Sequence, residues 1–384
     1  MKEINITKKV FGVLAILFFV ISCSDFTKKE IDIDTSDKTP KIVVSAILEN
    51  DLFCIYLSLS TPIKTNGEQF SRVVKDAVVR LYEEDDLLFE ATERDESFQH
   101  SYYDPEYAYL YPYAMQENIK VIPGKSYRLE IFLEGYPPVT STVVAPEEPL
   151  VENLSLNISP LVEREYERTG YAENFGISYH AGCNTYFQMN LTLNDNSEQK
   201  DYYLIEVFET SLSDASIAEL HMGFMGTQRQ AVATTDRILI QDNPEVISNQ
   251  WMSDPGINTF TFGQLILSDL SFQGKSKDLN LLVSTCNLSY KDDFCEYLEK
   301  IGHYDPSRII RKTYRLLAIV KHICPESYDF YRTIASQSED DDLGFLSEPA
   351  IIISNIEGGY GCFSVSSSKQ VTLLTYEVCE LSYY

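Results

Sequence analysis

Histidine, basic charge and catalytic signatures are all scarce in this chain, and each scarcity removes a class of function. Five histidines occur in 384 residues, at His100, His180, His221, His303 and His322, and none belongs to an H-E-x-x-H motif. There is no C-x-x-C pair, and His180 with Cys183 lacks further ligand-type neighbours, so neither zinc-hydrolase nor zinc-finger spacing is present. No G-x-S-x-G elbow occurs. Gly124-Lys125-Ser126 and Gly274-Lys275-Ser276 look like the end of a phosphate loop, but Ile119 and Asp269 stand where its first glycine is needed. The acidic runs Glu83 to Asp86, Asp292-Asp293 and Glu339 to Asp342 lack the alternating spacing of a calcium loop and read as solvated turns. Carboxylates are too abundant for any pair to stand out as acid and base. The expectation is a protein with no catalytic residues, no cofactor and no metal site.

Positive charge is also short: 31 Lys and Arg face 58 Asp and Glu, for a net charge of −27. Such a surface repels phosphate backbones and anionic headgroups, which excludes nucleic acid as a partner. Long apolar runs are missing too. The stretch from Val10 to Ile21 is twelve residues, too short to span a bilayer but suited to the apolar core of a signal peptide. It follows Lys2, Lys8 and Lys9 and ends in Val20-Ile21-Ser22-Cys23, the pattern of a bacterial lipobox.

On that reading residues 1–22 are a lipoprotein signal peptide and Cys23 is the lipidation site. Its acyl chains, palmitate-like in length, tether the chain to the membrane at about 0.8 kcal/mol per buried methylene. Ser24 rather than Asp after the cysteine favours the outer membrane, at its periplasmic face or the cell surface. Residues 23–39, with Asp25, Glu30, Asp32, Asp34 and Asp37, read as a flexible tether. Loss of a leader carrying three lysines and one glutamate takes the formal charge from −27 to −29.

Seven cysteines follow Cys23, an odd number, so at least one is unpaired within the chain. Cys286 with Cys295 and Cys362 with Cys379 are candidate hairpin staples, while Cys54, inside an alternating strand pattern, reads as a small core residue.

From Lys41 onward the chain alternates as strands do. Residues 42–48, 52–60, 76–82, 87–90, 126–133 and 139–144 are short, apolar-alternating stretches separated by Asn66-Gly67, Pro123-Gly124, Gly135 and Pro137-Pro138. This pattern predicts an N-terminal β-sandwich over 40–146, Ig-like or carboxypeptidase-regulatory-like. Ala145 to Pro149 is the expected boundary. A larger antiparallel β domain over 150–384 follows, with strands at 185–193, 202–208, 231–241, 279–290, 313–322 and 371–378. A few short helices are expected at 213–220, 292–301 and 325–336, the last opened by Pro325 with Glu326 in the first turn.

Several landmarks together resemble one family of Bacteroidetes outer-membrane lipoproteins, domain of unknown function 4249. They are the lipobox, KIVVSAIL, DAVVRLYEE, PGKSYRLEI, VVAPEEP, YYLIEV, YRLLAIVKHICPESYDFYRTI and SEPAIIISNIEGGYGCFS. The last two are the most specific. The resemblance implies a two-part β protein acting beside a TonB-dependent outer-membrane transporter, and it implies no activity. In SEPAIIISNIEGGYGCFS the glycines Gly358, Gly359 and Gly361 suit a tight structural turn, with a ligand loop as the alternative.

The stretch most suggestive of binding is Tyr102 to Tyr113. Tyr107, Tyr109, Tyr111 and Tyr113 stand two apart, so an extended segment puts all four rings on one face, next to Tyr102 and Tyr103. Pro112 restricts such a segment to an edge strand or a loop. These six tyrosines are the candidate contacts for a ligand or partner, the alternative being that the rings cover the sandwich. The chain thus reads as a non-enzymatic, lipid-anchored binding or accessory protein for nutrient uptake. A surface adhesin, and a glycan or peptide hydrolase, are its rivals.

Overall fold

The computed structural model describes residues 40–60, 72–95, 111–162, 170–172, 177–179, 186–195, 199–211, 227–234, 236, 239, 260–262, 264–284, 309–335 and 352–381. The fold is mostly β. The N-terminal strands are β1 (Ile42–Glu49), β2 (Leu52–Leu59), β3 (Val78–Glu83), β4 (Asp86–Ala91), β5 (Ala114–Glu117), β6 (Ser126–Phe132) and β7 (Val139–Val144). There follow β8 (Leu150–Val162), β9 (Gly170–Ala172), β10 (Ile177–Tyr179), β11 (Tyr186–Asn194), β12 (Tyr202–Thr210), β13 (Thr227–Thr234), β14 (Phe260–Phe262), β15 (Leu265–Ser268) and β16 (Ser276–Ser284). The chain closes with β17 (Ile309–Ile323), helix α1 (Pro325–Ala335) and the long β18 (Tyr360–Leu381).

Period-two alternation explains the first core. In β6 the residues Tyr127, Leu129 and Ile131 point inward while Arg128 and Glu130 point out, and β1 buries Ile42, Val44, Ala46 and Leu48 in the same way. The four-stranded sheet β4-β3-β6-β7 packs its inner face on the β5-β2-β1 end of a twelve-stranded sheet. Each fully buried Leu, Ile or Phe in this layer stabilises it by roughly 1.5–3 kcal/mol.

One sheet runs across the boundary expected at residues 146–150. Hydrophobic residues do separate into one cluster drawn mainly from 42–145 and another from 151–376. However, Ile356, Phe363 and Val365 belong to the first cluster. β18 pairs with β1 in parallel, Val44 opposite Gly361 and Leu48 opposite Val365, and then continues along β17. The sandwich is therefore completed by the C-terminal strand, and one sheet crosses the boundary in the order β5-β2-β1-β18-β17-β12-β13-β16-β11-β8. Beyond β12 this sheet curls around the second core. Val151 on β8 joins Tyr376 of β18 in that core, and Lys369 Nζ donates to the Val151 carbonyl at 3.0 Å.

Some strand boundaries shift. The strand expected at 231–241 runs over Thr227–Thr234 with Leu239 in helical conformation, and the one expected at 279–290 starts at Ser276. Helix α1 lies where its proline cap predicts. The helices expected at 213–220 and 292–301 lie outside the described residues. Glu83 to Asp86 is the β3–β4 hairpin turn, with Glu84 at φ +51, whereas the other two acidic runs lie outside the described residues.

The glycine-rich stretch turns at Gly358, at φ +78, as expected, and is also a place of close backbone approach. Glu357 bridges Thr140 on β7 through two backbone hydrogen bonds of 2.8 and 3.1 Å. A Cβ on Gly361, at φ +114, would come within 1.8 Å of the Val44 carbonyl oxygen on β1. The Asn355 side chain completes the strand start, accepting from the Phe363 N–H at 2.9 Å and donating to the Phe363 carbonyl at 2.7 Å. Gly361→Ala should therefore cost more than about 4 kcal/mol of unfolding free energy, because both the conformation and the β1–β18 pairing are lost. Gly124→Ala, also at positive φ but with open space around it, should cost only about 1–2 kcal/mol. Urea denaturation of the two variants measures the difference.

Candidate functional site

Strand ends from four elements meet at one corner of the large sheet. Asp195 directly follows β11, Asp201 directly precedes β12, Asp269 directly follows β15 and His322 is next to last in β17. Strand register brings them together. Tyr202 pairs with both Ser268 and Ile323, and Tyr203 pairs with His322, so Asp201 lies one step from Asp269 and on the His322 side. Backbone hydrogen bonds hold the corner. Asp195 N–H donates to the Lys275 carbonyl at 3.1 Å, Gly274 N–H donates to Asp195 Oδ2 at 2.6 Å, and Asp269 N–H donates to the Asp201 carbonyl at 3.1 Å. As a result one carboxylate oxygen from each of Asp195, Asp201 and Asp269 lies within 4.8 Å of the other two.

A cleft of about 650 Å³ opens beside this corner. Asp195, Asp201, Tyr202, Tyr203 and His322 form one wall, and the linker Pro146 to Pro149 forms another. The linker is fixed by side chains: His322 Nδ1 donates to the Glu147 carbonyl at 2.9 Å and Ser367 Oγ donates to the Pro146 carbonyl at 2.7 Å. A carbonyl can only accept, so Nδ1 carries the proton and Nε2 faces Asp201 Oδ1 at 3.4 Å. The ring stacks on Tyr203, centroids 5.1 Å apart.

Acidic groups crowd this corner. Asp269 is 0% exposed, and among the described residues neither of its buried carboxylate oxygens has a hydrogen-bond partner of good geometry. Burial, with Asp195 and Asp201 adding like charge, pushes its carboxyl up to about 6. Two carboxylates 4–5 Å apart at an effective dielectric of about 20 repel by roughly 3–4 kcal/mol. Burial holds His322 below its ordinary value despite the acidic surroundings. It also raises the Tyr203 phenol, together with the three aspartates.

The opposite face of the same strands carries a balanced arrangement. Lys321, on the other side of β17 from His322, lies 2.6 Å from Glu49 Oε2 and 2.8 Å from Glu206 Oε2, and Arg229 Nη2 is 2.7 Å from Glu206 Oε1. Glu49, Glu206 and Lys321 are all buried. Burial would lower the Lys321 ammonium, but Glu206 and Glu49 outweigh it and hold the group above its ordinary value. Ser364, Ser366 and Tyr331 of α1 line the same 190 Å³ cavity. Two carboxylates and two cations here neutralise one another, the condition for keeping such charges inside a protein.

The tyrosine segment divides. Tyr102, Tyr103, Tyr107 and Tyr109 lie outside the described residues, and Tyr111 is half-buried. Tyr113 cannot be a contact residue: it is 0% exposed, its hydroxyl donating within reach of the Lys75 and Ala77 carbonyls and accepting from the Ala77 N–H at 2.9 Å. Beside it the Arg94 guanidinium gathers the Leu57, Val74 and Tyr111 carbonyls. Alternation placed this ring on the tyrosine face, but the hydroxyl's partners on the β3 approach draw it inward.

The cysteine pairing Cys362–Cys379 is also corrected. Both residues lie on β18, seventeen positions apart, or about 56 Å at roughly 3.3 Å per residue, far beyond disulfide reach. Cys362 is a buried free thiol near Ser327, which lies 2.8 Å from the Cys324 sulfur. Cys54 is a buried core residue. Cys23, His100, His180, Cys183, His221, Cys286, Cys295 and His303 lie outside the described residues.

Sequence reasoning missed the aspartate corner because its members are separated by 6 and 68 positions. The one available signal was that Asp195 and Asp201 flank two predicted strands joined by a short connection.

Two stability measurements test these assignments. Lys321→Met should destabilise the fold by about 3–5 kcal/mol, with partial recovery when Glu49→Gln is added, as expected when a buried carboxylate has lost its cation. Tyr113→Phe should cost about 1–3 kcal/mol because the buried Ala77 N–H loses its acceptor.

Residues 28–372 match the model of the family described as Domain of unknown function (DUF4249). No curated protein matches the chain.

Proposed function

The chain belongs to the DUF4249 family, and from that premise we propose that it is a non-enzymatic, lipid-anchored binding protein of the outer membrane, an accessory subunit for a TonB-dependent transporter. The observation that carries this reading is the 650 Å³ cleft, whose walls are strand ends and a linker pinned by hydrogen bonds. A preformed concavity of that size suits capture of a small ligand. Its carboxylates select against anions. The lipobox at Val20 to Cys23 and the polar tether over 23–39 support the location. Recognition of a ligand from a tethered position needs no catalytic group.

The adhesin reading has one observation in its favour. Strand β4 is an edge of the four-stranded sheet and exposes Leu87 and Leu88.

Affinity purification of the tethered protein from native membranes in mild detergent decides between the two. A β-barrel transporter recovered in near-equal amount is the expected result. Recovery alone or with further copies of itself would sink the accessory role and favour strand-mediated association. Cys23→Ala should move the protein from the membrane to the soluble fraction. Retention of that variant in the membrane would overturn the lipid anchor.

A further inference from the structure

We propose that Asp195, Asp201 and Asp269 form a divalent-cation site at the inner end of the cleft, with His322 beside it. The proposal goes beyond anchoring and transport and stands without them. Three carboxylates with oxygens within 4.8 Å of one another match the reach of one ion with metal–oxygen distances of about 2.3–2.6 Å, as for Ca²⁺.

Proximity of acids alone would not identify a site. The second observation is Asp269, a fully buried carboxylate whose two oxygens have no hydrogen-bond partner of good geometry among the described residues and which adjoins Asp195 and Asp201. Native proteins seldom leave such a group uncompensated, and a bound cation compensates all three acids at once. A third observation concerns His322. Its Nδ1 donates to the Glu147 carbonyl at 2.9 Å, which fixes the ring with Nε2 3.4 Å from Asp201 Oδ1, beside the three carboxylates. Asp195 and Asp201 line the cleft, so the ion's remaining positions open toward it.

The test uses the detergent-solubilised full chain, stripped with EDTA and titrated separately with Ca²⁺, Mg²⁺, Mn²⁺ and Zn²⁺ by calorimetry and thermal unfolding. The expected result is one ion bound per chain and a rise of several degrees in Tm for at least one of these metals. Asp269→Asn should weaken binding by at least ~10-fold and abolish the rise, yet the stripped variant should melt no lower than stripped wild type, because a buried like charge has been removed. Asp201→Asn, at the cleft wall, repeats the test at a more exposed position. Identical melting of stripped and metal-treated protein for all four ions would overturn the proposal. So would binding that both variants leave unchanged, which would place the ion on surface carboxylates elsewhere.

Discussion

The parallel pairing of β1 with β18 is the constraint on which the rest of the structure depends. It gives β1 a partner on the edge that β2 does not occupy, supplies Phe363 and Val365 to the first core, and carries the sheet on to β17 and the second core. The paired residues are more than 300 positions apart, so closing this contact bears a large loop entropy that local hairpins avoid. Gly361 permits it, since any side chain there would collide with the Val44 carbonyl. The charges of the hidden network lean on the same strands. Glu49 ends β1 and Lys321 lies near the end of β17, on either side of β18, so the ion pair ties together the two strands that β18 separates.

Strand β17 shows how one element serves two purposes. Adjacent residues on a strand face opposite ways, so Lys321 enters a small pocket beside α1 while His322 enters the cleft. In the pocket, positive and negative charges match in number and approach within 3 Å. At the cleft, three acids crowd together, one of them fully buried. The first arrangement pairs its charges and reads as part of the frame. The second gathers like charge around one buried acid, which is why a cation is proposed there.

Most of the strands were legible in the sequence because their signal is local. Tyr127, Leu129 and Ile131 alternate with Arg128 and Glu130, and such a period survives in any window of seven residues. Helix α1 was legible from Pro325 and Glu326 at its start. The candidate site was not. Asp269 stands in the sequence as the residue that breaks a phosphate-loop motif, and nothing around it announces that Asp195 and Asp201 will be its neighbours. The glycines near residue 360 signal the turn at Gly358, but glycine density alone does not reveal that Gly361 is also required by the close approach of β1. Tyr113 was misplaced for a related reason: its hydroxyl's partners come from the approach to β3, which periodicity within its own segment does not reveal.

What the sequence by itself determined is the class of fold, the family and the position of most strands. These follow from residue period, turn chemistry and recognisable segments, all properties of short stretches. Which strands become neighbours, which core Phe363 enters, and where the three aspartates and His322 converge were decided only by the tertiary structure. Pairing partners are chosen by the burial and hydrogen-bond satisfaction of the whole sheet, and β-strands distant in sequence meet only through that global arrangement.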